Sequence, residues 1–147
     1  PVLCGPFAHS IQQGGRPEDD AGVRQFLEAL GELAGRESGR LFWVLGVDLA
    51  HMGRRYGDPF AVRVGAGEMR AVEELDRRRV GRILEADAQG FWEAVREDRD
   101  PLKWCGASAF YAFLRAVPQA RGELLRYAQW NIDEASVVSF AALAFRG

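Results

Sequence analysis

Seven consecutive uncharged residues, Leu41-Phe42-Trp43-Val44-Leu45-Gly46-Val47, constrain this chain more than any other feature. Gly39-Arg40 bounds the run on one side and Asp48 on the other. The run is far shorter than the roughly 18 residues a membrane span needs. Its continuous apolar character predicts a strand covered on both faces, as in a parallel sheet. A second apolar stretch, Val2-Leu3-Cys4-Gly5, predicts another buried strand with almost no lead-in. Between the two, Val23, Phe26, Leu27, Leu30, Leu33 and Ala34 recur at helical spacing, with Asp19 or Asp20 as cap and Ser38-Gly39 as terminator. Strand, helix and buried strand make a right-handed βαβ unit. The expected class is therefore α/β, a mixed, partly parallel sheet flanked by helices.

Ser10 to Asp20, rich in Gly, Gln and acid, is expected as a loop, and Asp48 to Phe60 as an irregular segment. Downstream, Gly65 to Leu84 predicts a long arginine-rich helix that turns Met69, Val72, Val80, Ile83 and Leu84 inward. A shorter helix capped by Asp87 buries Ala88, Phe91, Trp92 and Val95. Cys105-Gly106 opens another, with Phe110, Phe113, Leu114 and Val117 on its buried stripe and Pro118 as its stop. About Glu123–Trp130 and Ser136–Phe145 are expected as antiparallel neighbours, because only Asn131 to Ala135 separates them.

With 147 residues and 48% hydrophobic content, the chain suits one domain over 1–147. A net charge of −2 gives no reason to expect nucleic-acid binding. Pro1–Phe7 lacks the basic and long apolar regions of a signal peptide. Two distant cysteines do not make a disulfide scaffold, so both are read as reduced and the protein as cytoplasmic and free of the membrane.

In α/β sheets functional groups gather just past the carboxyl ends of strands. Asp48, His51, Arg54, Arg55 and Tyr56 fall there, directly after the apolar run. Asp48, three residues before His51, is expected to orient the imidazole as a carboxylate does behind a ligand or proton-transfer histidine. Cys105 precedes a helix and follows Lys103-Trp104. The helix N-terminus and the lysine both favour thiolate, the form that ligates metals or attacks electrophiles. Cys4, inside an apolar stretch, reads as a small buried hydrophobe. His51 and Cys105 make half a metal site, with Asp48, Asp58, His9 or Glu134 as further candidates. The same pair also allows Cys–His nucleophilic chemistry. There is no P-loop, GxGxxG, HExxH or GxSxG segment. Trp43, Trp92, Trp104 and Trp130 stand singly and read as core or interface.

Val47-Asp48-Leu49-Ala50-His51-Met52-Gly53-Arg54-Arg55-Tyr56 resembles the "SDxxHxGxRF" segment of the Memo family, which includes bacterial AmmeMemoRadiSam system protein B. Cys105-Gly106 resembles its "CGxxPI", Leu125-Arg126-Tyr127-Ala128-Gln129 its "LxYAQS", and Ser136-Val137-Val138-Ser139-Phe140-Ala141-Ala142 its "SSVSYAA". Pro1-Val2-Leu3-Cys4-Gly5 resembles its "VPxLVG" strand. The resemblance implies a fold like that of the LigB-type class III extradiol dioxygenases and a pocket of histidines plus a cysteine. It implies His51 and Cys105 as metal ligands, His51, Asp48 and Cys105 as catalytic residues and Arg55 as a cofactor contact. Family members are about twice this length, and their "PHAGYxYSG" segment and further pocket histidine have no match here. The chain thus looks like a C-terminal half, and iron or copper would need ligands from an N-terminal half. The implied activity is metal-dependent redox chemistry of dioxygenase type. The rival is a non-catalytic module that binds a small molecule or a protein, including an N-terminal half or a second copy.

Overall fold

The computed structural model describes residues 1–146; Gly147, which the expected domain includes, and the side chain of Asp98 lie outside the described residues. Among the described residues five α-helices and three strands follow in the order α1 (Ala8–Gln13), α2 (Ala21–Arg36), β1 (His51–Gly53), α3 (Gly67–Leu84), α4 (Ala88–Arg96), α5 (Ala107–Ala116), β2 (Arg121–Asp133) and β3 (Ser136–Arg146). The molecule is α/β, as its sequence pattern predicts, and four of the helices lie where helical spacing puts them. Asp20 caps α2 by accepting from Val23 N at 2.9 Å, and Asp87 caps α4 by accepting from Gly90 N at 2.8 Å. Such a cap contributes about 1 kcal/mol. The segment 10–20 is more ordered than expected: α1 and a 3-10 turn at Pro17–Asp19 occupy it.

The sheet has the order β1-β3-β2, antiparallel throughout. β2 and β3 form the expected hairpin, paired from Arg121↔Arg146 to Asp133↔Ser136. Register shifts leave Leu125 and Ile132 as extra residues in β2, local bulges that bend the ribbon. β1 pairs through His51↔Val138, Met52↔Val137 and Gly53↔Ser136.

The two strands expected at 2–5 and 41–47 are not part of this sheet, so no βαβ unit and no parallel pair form among the described residues. Both stretches line one groove of about 450 Å³ together with α5 residues. Trp43, Leu45 and Val47 turn inward against the core, while Phe42 and Val44 stand 92% and 77% exposed. The segment therefore alternates like a strand covered on one face, where the uncharged run predicts cover on both. Periodicity reports which residues are apolar, not whether a neighbouring strand is present to cover them.

The core lies between α3, α4, α5 and the sheet. Phe91, Leu49, Met69, Ile83, Leu102, Leu114, Val80, Val95 and Val137 are fully buried. Phe91 packs against both Trp104 and Phe110, with ring centroids 6.0 and 6.2 Å apart. Trp92 and Trp104 belong to this core, and Trp130 is exposed. Among the described residues no helix is long and apolar enough to cross a membrane.

Candidate metal centre

β1 begins at His51, and the residues before it are threaded onto β3. Leu49 N donates to Ser139 O at 2.9 Å, Ser139 N donates to Ala50 O at 3.0 Å, and His51 N donates to Leu102 O at 2.9 Å. The imidazole is thus carried on a backbone fixed from two sides. Its Nδ1 faces two carbonyl oxygens, Leu49 O at 3.0 Å and Lys103 O at 3.1 Å. Carbonyls only accept, so this pattern assigns the proton of the neutral ring to Nδ1 and leaves the Nε2 lone pair free. A backbone carbonyl holding the far ring nitrogen is the usual arrangement behind a metal-bound histidine. The ring also stands edge-on to Tyr56, with centroids 4.9 Å apart.

Nε2 points toward Asp48 Oδ2, 4.0 Å away. This exceeds hydrogen-bond length, so the orienting role expected for Asp48 falls to the two carbonyls instead. The third group is Cys105, whose Sγ lies 3.6 Å from Asp48 O and donates to it. One ligand atom from each of Asp48, His51 and Cys105 lies within 4.8 Å of the other two. Around a tetrahedral ion with thiolate, imidazole and carboxylate ligands the separations are about 3.5 Å. Asp48 and Cys105 are exposed and His51 half-buried, so the first two side chains have room to rotate toward such separations. A soft thiolate, a borderline imidazole and a hard carboxylate suit a first-row transition metal.

Two local features bring Cys105 this close. Lys103 adopts a left-handed backbone with φ 54°, unusual for a side chain of this kind, which presents its carbonyl to His51. Gly106 lies where a Cβ would stand 2.6 Å from Val47 Cγ2 and 3.2 Å from Asp48 O, so only glycine lets the Asp48 segment approach the start of α5. The Lys103 ammonium does not serve the thiol. It pairs with Asp58 at 2.8 and 3.0 Å, and Asp58 in turn accepts from Gly53 N at 2.8 Å.

The remaining candidates lie elsewhere. Asp58 is consumed by that pair, His9 is exposed on α1, and Glu134 is exposed in the β2–β3 turn. Arg55 N donates to Ser136 Oγ at 3.0 Å, and its exposed guanidinium assists the Ala135 N–H in holding the Asp133 carboxyl low. Both cysteines are free thiols. Cys4 is partly buried rather than enclosed, and burial pushes its thiol up.

Spacing along α3 contains a signal that residue-type reading passes over. Asp76 and Arg79 occupy the same helical stripe as Met69, Val72, Val80 and Ile83, and both are buried. Asp76 accepts from Trp104 Nε1 at 2.7 Å, Tyr127 OH at 2.8 Å and Ser139 Oγ at 2.5 Å. Burial pushes its carboxyl up, and these three donors together with the Arg79 guanidinium oppose that shift. Arg79 pairs with Asp100 at 2.7 Å and lies over the Trp104 ring, 5.3 Å from its centroid.

Fold and site together define an α/β protein with a His/Cys/Asp group of the kind that could hold a metal ion. The family model for Memo-like protein matches residues 22–144, and the chain belongs to that family. No curated protein matches the chain.

Proposed function

We propose that the chain binds a transition-metal ion through Asp48, His51 and Cys105 and takes part in redox chemistry of dioxygenase type on a small molecule. The observation that carries this reading is the imidazole held through Nδ1 by Leu49 O and Lys103 O, with Nε2 4.0 Å from the Asp48 carboxylate and the Cys105 thiol in the same group. Iron or copper suits these donors, and when bound such an ion supplies Lewis-acid or one-electron chemistry. The carboxylate oxygen of Asp48 left off the ion is the group of this chain that could hold or release a proton beside it. Arg55 is the proposed cofactor contact. Among the described residues no second histidine joins the group. The reading therefore takes this chain as the C-terminal part of a longer AmmeMemoRadiSam-B-type protein with a LigB-type fold, whose other part supplies further ligands. Two free thiols suit the reducing cytoplasm.

Metal analysis and anaerobic Fe(II) titration of the protein and of its His51→Ala and Cys105→Ala variants test this. Each variant is expected to lose at least tenfold in affinity. Unchanged stoichiometry and affinity in both would sink the assignment.

The exposed side chains of Leu3, Phe42 and Val44 favour a second reading, a non-catalytic module that binds a ligand or protein. Binding of a partner that survives loss of both His51 and Cys105 would favour it over the redox protein.

A further inference from the structure

His51 and Cys105 are 54 positions apart, on segments with no covalent reason to stay in register. We infer that Asp76, on α3, is the positioning residue that sets their geometry. Its two carboxylate oxygens reach both sides of the metal group. On one side Oδ1 accepts from Trp104 Nε1 at 2.7 Å, and Trp104 is the residue directly before Cys105. Trp104 is held further by α3 and its surroundings: its backbone N donates to Asp100 Oδ2 at 3.0 Å, Asp100 pairs with Arg79, and the Arg79 guanidinium covers its ring. On the other side Oδ2 accepts from Ser139 Oγ at 2.5 Å, and that same Oγ accepts from Ala50 N at 2.8 Å, directly before His51. Tyr127 OH also donates to Oδ2, and itself accepts from Gln129 Nε2 at 3.0 Å.

A carboxylate with 0% exposure on a buried stripe carries a desolvation cost that a leucine there would not. What the carboxylate adds is direction. Its donors come from β2, β3 and the segment before α5, so one rigid group ties two ligand-bearing segments to one helix. Supporting groups of this kind change metal affinity by about 10- to 100-fold when removed. The inference deepens the metal-centre reading and rests on it.

Cobalt(II) titration of the whole chain, read by the thiolate-to-cobalt charge-transfer band and the d–d bands, tests it. Asp76→Asn keeps the shape but makes one carboxylate oxygen a donor facing donors. Ser139→Ala is a milder cut that removes the hydroxyl bridging Asp76 to Ala50 N and leaves the Trp104 and Tyr127 bonds in place, in case Asp76→Asn fails to fold. Leu27→Ala serves as a control, weakening the core on α2, which contributes no hydrogen-bonding group to the network. Asp76→Asn, or Ser139→Ala in its place, is expected to bind cobalt at least tenfold more weakly than the unaltered protein, with a diminished thiolate band. Leu27→Ala is expected to keep both affinity and spectrum. Folded Asp76→Asn and Ser139→Ala proteins with unaltered affinity and bands would overturn the inference while leaving the metal centre standing. An equal loss in Leu27→Ala would also overturn it, by making the effect one of stability. Failure of the unaltered protein to bind cobalt would overturn the metal-centre reading and the inference with it.

Discussion

Tyr111 shows how much a single side chain can be committed by its surroundings. Its phenol donates to the Glu18 carboxylate, 2.9 and 2.8 Å from the two oxygens, while Arg115 pairs with the same carboxylate at 3.1 Å. Burial pushes the phenol well above its ordinary value, and Glu18 adds to the shift. Tyr127 is pushed up likewise, by burial and then by Asp76. A phenol raised in this way keeps its proton in the folded chain at a pH where the unfolded chain has released it. The stability it contributes is present in full below about pH 10 and is lost as pH rises further. With Lys103 the only lysine, few other groups obscure this limb. Tyr111→Phe is expected to flatten the alkaline fall of stability between about pH 10 and pH 12 by the equivalent of one proton. Urea unfolding midpoints across that range check it, and an unaltered slope would count against the assignment.

At the scale of elements, β1 is only three residues long, yet it fixes His51. Its length is set by Gly53, which sits at φ 101°, where a Cβ would stand 2.2 Å from Ala135 O and 2.8 Å from Ser136 Cα. The chain passes against the β2–β3 turn there without a side chain. Val62 N and Arg54 N both donate to that same Ala135 O, at 3.2 and 3.3 Å. Gly53→Ala meets a steric clash and an unfavourable backbone at once, and a cost of about 2 kcal/mol or more is expected. Chemical denaturation measures the cost, and cobalt affinity is expected to fall with it because His51 lies two residues away. A stability loss within about 0.5 kcal/mol would show that β1 absorbs the Cβ by shifting.

The whole molecule is lopsided in its use of apolar surface. Around α3, α4 and α5 apolar residues are enclosed, whereas Leu3 at 98% and Phe42 at 92% exposure face away from the core. Removing such side chains sacrifices almost no burial in the folded state. Phe42→Ser is therefore expected to leave stability unchanged within about 0.5 kcal/mol while lowering the fluorescence of the apolar probe ANS bound to the folded protein. Thermal unfolding and ANS titration run side by side check both halves. A clear drop in melting temperature would show that Phe42 is packed more tightly than its exposure indicates.

Local chemistry determined much of this protein. Helical spacing placed α2, α3, α4 and α5, Asp20 and Asp87 marked two starts, and a short polar break between apolar runs gave the hairpin of β2 and β3. The resemblance of the His51, Cys105, Tyr127 and Ser136 segments agrees with the family that the chain belongs to. Each of these signals is carried within a few residues, where spacing and residue type suffice. The fate of Leu41–Val47 was not local. An apolar run is the same whether strands cover both its sides or none, and tertiary structure alone left Phe42 and Val44 in solvent. The tautomer of His51 was not local either, since one of the carbonyls that fix it belongs to Lys103, and the role expected of Asp48 passed to backbone groups. Only folding brings Asp48, His51 and Cys105 within 4.8 Å, because the separation depends on how α3, β3 and the start of α5 pack, with Asp76 bonded to the residues between them.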